Sequence, residues 1–250
     1  MSGLWRNLED LVFPPRCFGC GRLLLPALGQ GKSPCFCKSC ETEWERACLA
    51  QCPQCFAAYL DCTCMPHVMK QAGCAALIKV VPYGEESELR VVRHAVLASK
   101  RAPRSRHAAF FAESLREGVE KALADADQKM PISHTVMAHL PRTRQNFRAY
   151  GFDQAALIAK ALSRLVNVKY VCALRRTHDG KEQKKLTLRE RRANVKGAFA
   201  LRCDVAGKRV ILVDDVVTTG AGMAEAVRVL KKGGAAEVIA VCVAATRKRK

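Results

Sequence analysis

The stretch that decides the fold runs from Val210 to Ala221 and reads VILVDDVVTTGA. Its first four residues are all aliphatic, which predicts a short strand over 210–213 that is buried on both faces, as in parallel sheets. Two adjacent carboxylates, Asp214 and Asp215, follow, and a loop of hydroxyls and glycine comes next. Helical periodicity begins at Ala221, so the stretch predicts a strand–loop–helix unit.

This unit has the features of a ligand site. In open α/β sheets, ligands bind at the carboxyl ends of the strands. The loop N–H groups and the helix start can cradle a phosphate, and Thr218, Thr219 and Gly220 suit that role because they offer hydroxyl donors and close backbone approach. Asp214 and Asp215 would repel a phosphate but suit sugar hydroxyls or a hydrated Mg²⁺ carried by the ligand. The unit predicts a phosphorylated-ribose site; the alternative is that the two acids only cap the helix.

Working outward from this unit, apolar runs alternate with segments of helical periodicity. Strands are predicted over 75–82, 134–140, 168–174 and 238–244, and helices over 86–97, 106–124, 151–165 and 221–232. A basic loop, from Lys100 to Arg106, is expected between the first two helices, and a second basic loop, ending at Asn194, is expected to close over the site. The alternation predicts an α/β fold in which helices flank a parallel sheet.

Composition excludes several classes of protein. The chain has 250 residues, of which 49% are hydrophobic and 26% charged, as in ordinary globular domains. No apolar run approaches the ~20 residues of a membrane helix, so no stable membrane insertion is expected. The first residues carry Glu9 and Asp10 within an apolar stretch and do not resemble a signal peptide. We therefore expect a cytoplasmic protein.

Charge and cysteine are distributed in opposite ways. Residues 1–74 hold 11 of the 14 cysteines, whereas residues 71–250 carry +18 of the net charge of +19. This asymmetry predicts a cysteine-rich module over 1–70, with a short helix over 4–12, and a basic domain over 71–250. A basic domain attracts polyanions such as nucleic acid or phosphorylated metabolites, although charge can also serve solubility alone.

The cysteines are spaced like the ligands of metal ions. Two CxxC pairs separated by ~15–20 residues are typical of a four-thiolate zinc site, and a CPxC followed by a CxC suggests a second site. Closed sites of this kind are structural, and the metal would supply folding energy that so small a core lacks. A disulfide framework is the alternative, and Cys35, Cys48 or His67 could replace a ligand in the second site. The predicted ligands are Cys17, Cys20, Cys37 and Cys40 in the first site and Cys52, Cys55, Cys62 and Cys64 in the second.

The stretch 210–221 closely resembles the 5-phosphoribosyl-1-pyrophosphate (PRPP) signature of type I phosphoribosyltransferases. The resemblance implies that Asp214 and Asp215 bind the ribose 2′- and 3′-hydroxyls and that the loop from Thr218 to Gly220 holds the 5′-phosphate, with Mg²⁺ accompanying PRPP. The sequence departs from the signature at Gly222, where the family usually has Ser or Thr. One hydroxyl is thus missing, which corresponds to ~1 kcal/mol of a lost hydrogen bond.

The order of motifs along nearly the whole chain resembles the ComF family. Pro-Pro-Arg at 14–16 leads into the cysteine knuckles, Leu-Pro stands at 140–141, and a segment from Thr187 to Phe199 that ends in Gly-Ala-Phe comes before the PRPP signature. The family's Arg-Gly-Phe-Asn-Gln motif reads YGFDQ at 150–154, with two changes. A lysine common in the first helix of that family is absent near Leu97.

This resemblance implies a competence protein that handles incoming single-stranded DNA and binds PRPP, with a helicase-like ATPase as partner. Arg142, after the predicted strand 134–140, is a candidate for the pyrophosphate. Phe147, Tyr150 and Phe152 interleave with arginines, as a stacking platform for single strands requires, or else pack in the core. The candidate nucleic-acid residues are Arg144, Arg148, Lys184, Lys185, Arg191 and Arg192.

Two other functions are consistent with the sequence. One is an active phosphoribosyltransferase that moves phosphoribose from PRPP to an unidentified nucleobase-like acceptor, with the loop ending at Asn194 as a lid. The other is a zinc-ribbon adaptor whose nucleotide site is vestigial. Single-strand affinity, pyrophosphate release and failure to bind PRPP would separate the three. No catalytic residue is assigned.

Overall fold

The computed structural model describes residues 14–24, 34–101, 105–127, 130–179 and 195–246. The helices in these ranges are α1 Lys38–Cys48, α2 His67–Gln71, α3 Arg90–Arg101, α4 Ser105–Asp127, α5 Arg144–Tyr150, α6 Gln154–Leu165 and α7 Ala221–Lys232. The strands are β1 Ala76–Tyr83, β2 Thr135–His139, β3 Lys169–Tyr170, β4 Leu174–Arg176, β5 Phe199–Leu201, β6 Arg209–Val217 and β7 Glu237–Thr246. Short 3₁₀ turns, Ser87–Leu89 and Ile132–His134, precede α3 and β2.

The main sheet has the strand order β1-β7-β6-β2-β3, and every pairing in it is parallel. β6 and β7 lie in its centre and are buried along almost their whole length, because aliphatic and β-branched residues fill both faces. Helices cover both faces, which confirms the predicted α/β class with a parallel sheet.

Each face of the sheet has its own core. On one face Ile211 and Val213 of β6 pack with α3, α4 and α6, and Phe111 of α4 is fully buried there. On the other face Leu212 packs with α2 and α7, where Met69 is fully buried. Adjacent residues of β6 therefore point to opposite cores, as strand geometry requires.

The cysteine-rich segment contributes to both cores. Trp44 of α1 packs edge-on against Phe110 of α4, with ring centroids 5.1 Å apart, and Phe18 stacks on His107 at 3.8 Å. On the other face, α2 packs against α7. Helix α2 spans the predicted boundary at residue 70, and the division into 1–70 and 71–250 stays a prediction.

Two predicted strands have different bounds in the structure. The strand predicted over 210–213 extends to Val217, so Asp214 and Asp215 lie within β6 near its carboxyl end rather than beyond it. The strand predicted over 168–174 is wrong as a single element. Only β3, at the sheet edge, pairs with β2, and the chain then leaves the sheet so that β4 can pair antiparallel with β5.

Helix α5 was not predicted, and the exposure of its residues gives the reason. Its seven residues include no buried one, so apolar periodicity is absent. Its ends do carry local signals: the Thr143 hydroxyl accepts a hydrogen bond from Asn146 N at 3.2 Å, and Gly151 ends the helix at φ +75°. The basic loop predicted from Lys100 to Arg106 is corrected too, because Lys100 and Arg101 form the last turn of α3.

Some predictions fall outside the described residues. These are the helix over 4–12 and the loop up to Asn194 beyond residue 179. Among the helices that the structure describes, none combines the length and apolar character needed to cross a membrane.

Trp44 gives a test of how firmly the cysteine-rich segment joins the domain. The ring is 6% exposed and contacts aromatic rings of both parts. We expect Trp44→Ala to lower the free energy of unfolding by about 3–5 kcal/mol, because a large buried side chain is removed. Guanidinium unfolding followed by circular dichroism measures this. Leu49→Ala, at a residue 78% exposed, is the control and should change stability by less than about 0.5 kcal/mol. Equal effects of the two variants would contradict a shared core.

Candidate functional site

Asp215 is the more enclosed of the two adjacent acids, with 7% of the residue exposed. Its Oδ2 accepts a hydrogen bond from Gln154 Nε2 of α6 and lies 3.0 Å from Lys100 Nζ of α3. Its Oδ1 accepts from Val216 N at 2.7 Å. Both oxygens are thus held in place, and the Lys100 charge offsets that of the carboxylate.

Asp214 has fewer partners. Its Oδ1 accepts from Asp215 N at 2.8 Å. Burial at the sheet edge and the neighbouring Asp215 carboxylate raise the pKa of Asp214 well above its usual value, and Lys100 only partly opposes this. The folded protein therefore stabilises the charge of Asp214 poorly, which suits a group that gains a partner when a ligand binds.

A cavity of about 180 Å³ opens beside the acid pair. Three cations and three acids face it, so it is polar and electrically mixed. The charged residues in its lining are Lys100, Arg142, Arg176, Asp153, Asp214 and Asp215. A cavity of this size, lined by several cationic hydrogen-bond donors, fits a phosphate or pyrophosphate rather than an apolar ligand.

Arg142 lies in the loop after β2. Its guanidinium donates to the carbonyl oxygens of Phe152, at 3.2 Å, and Lys100, at 3.3 Å, and stacks over the Tyr150 ring at 4.6 Å. Its backbone N–H donates to Asp153 Oδ2 at 2.8 Å, and the other oxygen of Asp153 caps α6 through Ala156 N. Asp153 thereby fixes the loop and the start of α6 together.

Arg176 ends β4 and reaches the cavity from the opposite side. Its Nη1 donates to Pro141 O at 3.3 Å, and its guanidinium lies 5.1 Å from the Phe199 ring. Burial lowers the pKa of Arg176, and Asp179, with an oxygen 3.6 Å from its Nε, opposes that shift. Asp179 also accepts hydrogen bonds from the first N–H groups of α5, at Arg144 and Gln145. One carboxylate thus ties β4 to α5.

The loop from Thr218 to Gly220 lies at the same edge of the sheet. Gly220 has φ +74°, a conformation that suits glycine, and forms the N-cap of α7. Ala221 N donates to the Thr219 hydroxyl at 3.4 Å, and Thr218 is exposed. Only Val216 and Val217 separate the acid pair from this loop along the chain.

The cysteines form two groups of four. In each group the Sγ atoms lie within 4.8 Å of one another. Cys20 Sγ and Cys37 Sγ are 3.8 Å apart, which matches the roughly 3.8 Å edge of a ZnS₄ tetrahedron with ~2.3 Å bonds. The donor sets therefore fit zinc, and Cys35, Cys48 and His67 are not part of them. The groups are Cys17, Cys20, Cys37 and Cys40, and Cys52, Cys55, Cys62 and Cys64.

Each tetrad has a cation beside it. Arg22 is hydrogen-bonded to the Cys20 thiol, and this raises the pKa of Arg22. Burial opposes ionisation of Cys20, but hydrogen bonds from the Arg22 backbone and the neighbouring thiols lower its pKa to about 7. At the second tetrad, Lys79 Nζ donates to the carbonyl oxygens of Cys62 and Cys64. Four thiolates around Zn²⁺ carry a net charge of −2, which these cations offset.

Comparison with known proteins gives the family. The phosphoribosyl transferase domain family matches residues 153–250. The DNA utilization protein YhgH of Salmonella typhimurium strain LT2 is 30% identical over 198 residues, which are 78% of this chain and 84% of that protein. The chain belongs to the ComF family.

Other ComF-family relatives match over shorter stretches. YhgH of Escherichia coli O157:H7 is 40% identical over 97 residues, 38% of this chain and 43% of its own. The match therefore spans less than half the length of this relative. Competence protein F of Haemophilus influenzae is 34% identical over 107 residues, 40% of this chain and 47% of its own. A purine phosphoribosyltransferase structure from Pyrococcus horikoshii is 20% identical, covering 52% of this chain and 73% of its own, at a TM-score of 0.30, too low to support an argument.

Lys100 is the main site residue that was not predicted from the sequence. The lysine common in the first helix of the family is absent near Leu97, but Lys100 lies one turn further along the same helix and forms an ion pair with Asp215. The apolar periodicity of α3 ends near Leu97, so only the observed length of the helix brings Lys100 to the acid pair. Gln154 belongs to the YGFDQ motif, but its contact with Asp215, like the position of Arg176 at the cavity, depends on packing between distant elements.

The candidate nucleic-acid residues are only partly described. Arg144 and Arg148 lie on the exposed helix α5, beside the cavity. Lys184, Lys185, Arg191 and Arg192 lie outside the described residues. Gly222, the departure from the PRPP signature, has room for a side chain, because an added Cβ would lie 3.8 Å from Leu140 Cδ2. The missing hydroxyl is therefore a sequence difference that the fold does not impose.

The raised pKa of Asp214 leads to a stability prediction. A carboxyl whose pKa is raised by folding lowers the stability of the folded state as the pH rises above the pKa that the group has in the unfolded chain. We expect Asp214→Asn to raise Tm by a few degrees at pH 7.5, with an advantage that shrinks as the pH falls and the wild-type acid becomes protonated. Asp215→Asn, which loses the ion pair with Lys100, should lower Tm. Thermal unfolding at several pH values tests this, and equal Tm shifts for the two variants would refute the distinction.

Metal content gives a second prediction. We expect two zinc ions per chain and, because each closed site needs its four thiolates, about one in either Cys20→Ser or Cys55→Ser. Cys203→Ser, at an exposed cysteine outside the tetrads, should retain two. Elemental analysis after chelator dialysis measures the stoichiometry. Zinc loss from Cys203→Ser equal to that of the other variants would show that the tetrads are not the binding sites.

Proposed function

We propose that this protein binds Mg²⁺–PRPP at the carboxyl edge of β6 and handles single-stranded DNA on the basic surface beside that site. The observation that carries the proposal is the acid pair held between a phosphate-type loop and three cations. The relatives named for DNA utilization and competence support the DNA part. A helicase-like ATPase partner rests on the family resemblance alone.

The parts of PRPP correspond to separate parts of the site. Asp214 and Asp215 would accept hydrogen bonds from the ribose hydroxyls, and Thr218 to Gly220 with the start of α7 would hold the 5′-phosphate. Lys100, Arg142 and Arg176 face the 180 Å³ cavity, which suits the pyrophosphate. A bound Mg²⁺ would neutralise charge on the pyrophosphate oxygens. The carbonyl partners of Arg142 hold its guanidinium in place before the ligand arrives.

The surface next to the cavity suits a single strand. Helix α5 has no buried residue, and its Phe147 and Tyr150 are 50% and 40% exposed. Arg148 lies between these two residues in the helix and Arg144 precedes them, so bases could stack while phosphates meet the guanidinium groups. Core packing of Phe147 and Tyr150, the alternative raised by the sequence, does not fit this exposure. Asp179 holds α5 beside Arg176 and therefore beside the PRPP site.

Phosphoribosyl transfer to a nucleobase-like acceptor is the second candidate. It is favoured by the state of the acid pair, because both acids are present and Asp215 is held by Gln154 and Lys100. In such a transfer the bond from the ribose carbon to pyrophosphate breaks as the acceptor nitrogen attacks, and the cations stabilise the leaving charge. The same contacts of the acid pair argue against an adaptor with a vestigial site. Release of pyrophosphate with an added base would support this candidate.

Fluorescence anisotropy of a labelled single-stranded oligonucleotide tests the proposal. The zinc-loaded protein is titrated at several salt concentrations, with and without Mg²⁺–PRPP. We expect salt-sensitive binding, a shift with PRPP, and loss of that shift in Asp214→Asn/Asp215→Asn. Arg144→Ala/Arg148→Ala should lower the salt slope by about 1.4, since single strands give ~0.7 per phosphate contact.

A matched double variant controls for charge. Arg116→Ala/Arg164→Ala removes two arginines from α4 and the far end of α6, and its salt slope should change less. No binding of the oligonucleotide near physiological salt contradicts DNA handling. No PRPP-dependent shift, together with no PRPP binding by calorimetry, contradicts the PRPP site.

A further inference from the structure

The phosphate-type loop rests against the segment that follows the second cysteine tetrad. A Cβ added at Gly220 would lie 2.9 Å from Pro66 Cβ and 3.0 Å from Met69 Cγ and Sδ. Contacts this short mean that a Cβ at position 220 would fit only if Pro66 or Met69 shifted. Met69 is fully buried, and Val68 beside it is 6% exposed. The loop that would hold the 5′-phosphate is therefore backed by Pro66 and α2.

This backing segment is tied to the tetrad. Pro66 comes two residues after Cys64, a tetrad member. Lys79 of β1 is 3% exposed, and its Nζ donates to Cys62 O at 2.9 Å and to Cys64 O at 2.8 Å. The tetrad and a buried lysine together fix where the chain enters α2.

The loop and the tetrad also share a small cavity of about 40 Å³. Val217 and Thr218 line it on one side, and Cys64, Lys79 and Tyr59 line it on the other. Residues beside the loop and residues of the tetrad therefore line one cavity, in addition to the contact of Pro66 and Met69 with Gly220.

We propose that the second cysteine tetrad, with its metal bound, positions the phosphate-binding loop through the contact of Pro66 and Met69 with Gly220. The proposal rests on the proposed PRPP function, since it concerns the same loop. Without the metal, Cys62 and Cys64 are no longer held by one ion, and Pro66 and Met69 are no longer fixed against Gly220. The 5′-phosphate would then meet a loop that must be ordered on binding, which weakens affinity.

The first tetrad supports a different element. Gly19 packs on Cys40 and on Val91 of α3, and Gly19 O lies 2.8 Å from His94 Nδ1 of the same helix. It thus braces the helix that carries Lys100, on the pyrophosphate side of the site. Because the two tetrads support different elements, we expect a change at the second tetrad to weaken the binding of ribose 5-phosphate more than the binding of pyrophosphate.

Calorimetry with two probes, ribose 5-phosphate and pyrophosphate, tests the proposal on the full zinc-loaded chain. We expect Met69→Ala to weaken ribose 5-phosphate binding about tenfold, the lower range for losing an outer-shell support, while pyrophosphate binding changes less than about twofold. Zinc content should stay at two per chain. Met69→Leu, of similar volume, should bind like the wild type.

Three further variants separate the positioning role from a general loss of stability. Leu123→Ala, in α4 and 7% exposed, creates a core cavity far from the loop and controls for general loss of stability. Lys79→Met removes the tie to Cys62 and Cys64 without removing a thiolate and should repeat the selective loss. Cys55→Ser should show the same selectivity as the second zinc is lost.

The outcomes separate the two proposals. If the wild type binds neither ribose 5-phosphate nor PRPP, the PRPP function fails and this inference fails with it. If the wild type binds both, but Met69→Ala, Lys79→Met and Cys55→Ser bind ribose 5-phosphate as tightly as it does, only the positioning role is wrong. Equal weakening of both probes, matched by Leu123→Ala, would also overturn it, because the effect would then be general destabilisation.

Discussion

Two adjacent carboxylates on the central strand of a buried sheet are the constraint on which the rest of the site depends. Charge at such a position is costly unless it is paired and hydrogen-bonded. The ion pair with Lys100 and the hydrogen bond from Gln154 offset that cost for Asp215, whereas burial raises the pKa of Asp214. Helices α3 and α6 must therefore end and begin at this edge, and Asp153 caps α6 there while holding the loop of Arg142.

The cysteine tetrads brace this arrangement from two sides. The first packs on α3 and, through Trp44 and Phe18, on α4. The second lies behind the loop at Gly220. A small segment with little apolar surface cannot hold such contacts by packing alone, so fixed thiolate geometry is a physical means of keeping them in place. Closed metal sites at the two tetrads would therefore serve to keep these contacts with the neighbouring elements in place.

The basic character of the domain has a local counterpart at the site. Lys100, Arg142 and Arg176 converge on one cavity, and α5 places further arginines and two exposed aromatic rings next to it. Asp179 links the two groups, because it pairs with Arg176 and caps α5. A ligand that changes the position of Arg176 would also move Asp179 and, through it, the start of α5. This contact is a physical connection between a site for a phosphorylated ligand and a surface for nucleic acid.

The sequence by itself determined the features that depend on near neighbours. The unit from β6 to α7 follows from an aliphatic run, two acids and Gly220, and the tetrads follow from cysteine spacing. Tertiary structure alone decided the pairing of Lys100 with Asp215, the tie from Gln154, and the contact of Met69 with Gly220. It also divided the predicted strand 168–174, because an edge strand can leave the sheet when another partner is available. These features join residues far apart in the chain, and periodicity and propensity carry no information about which distant groups packing brings together.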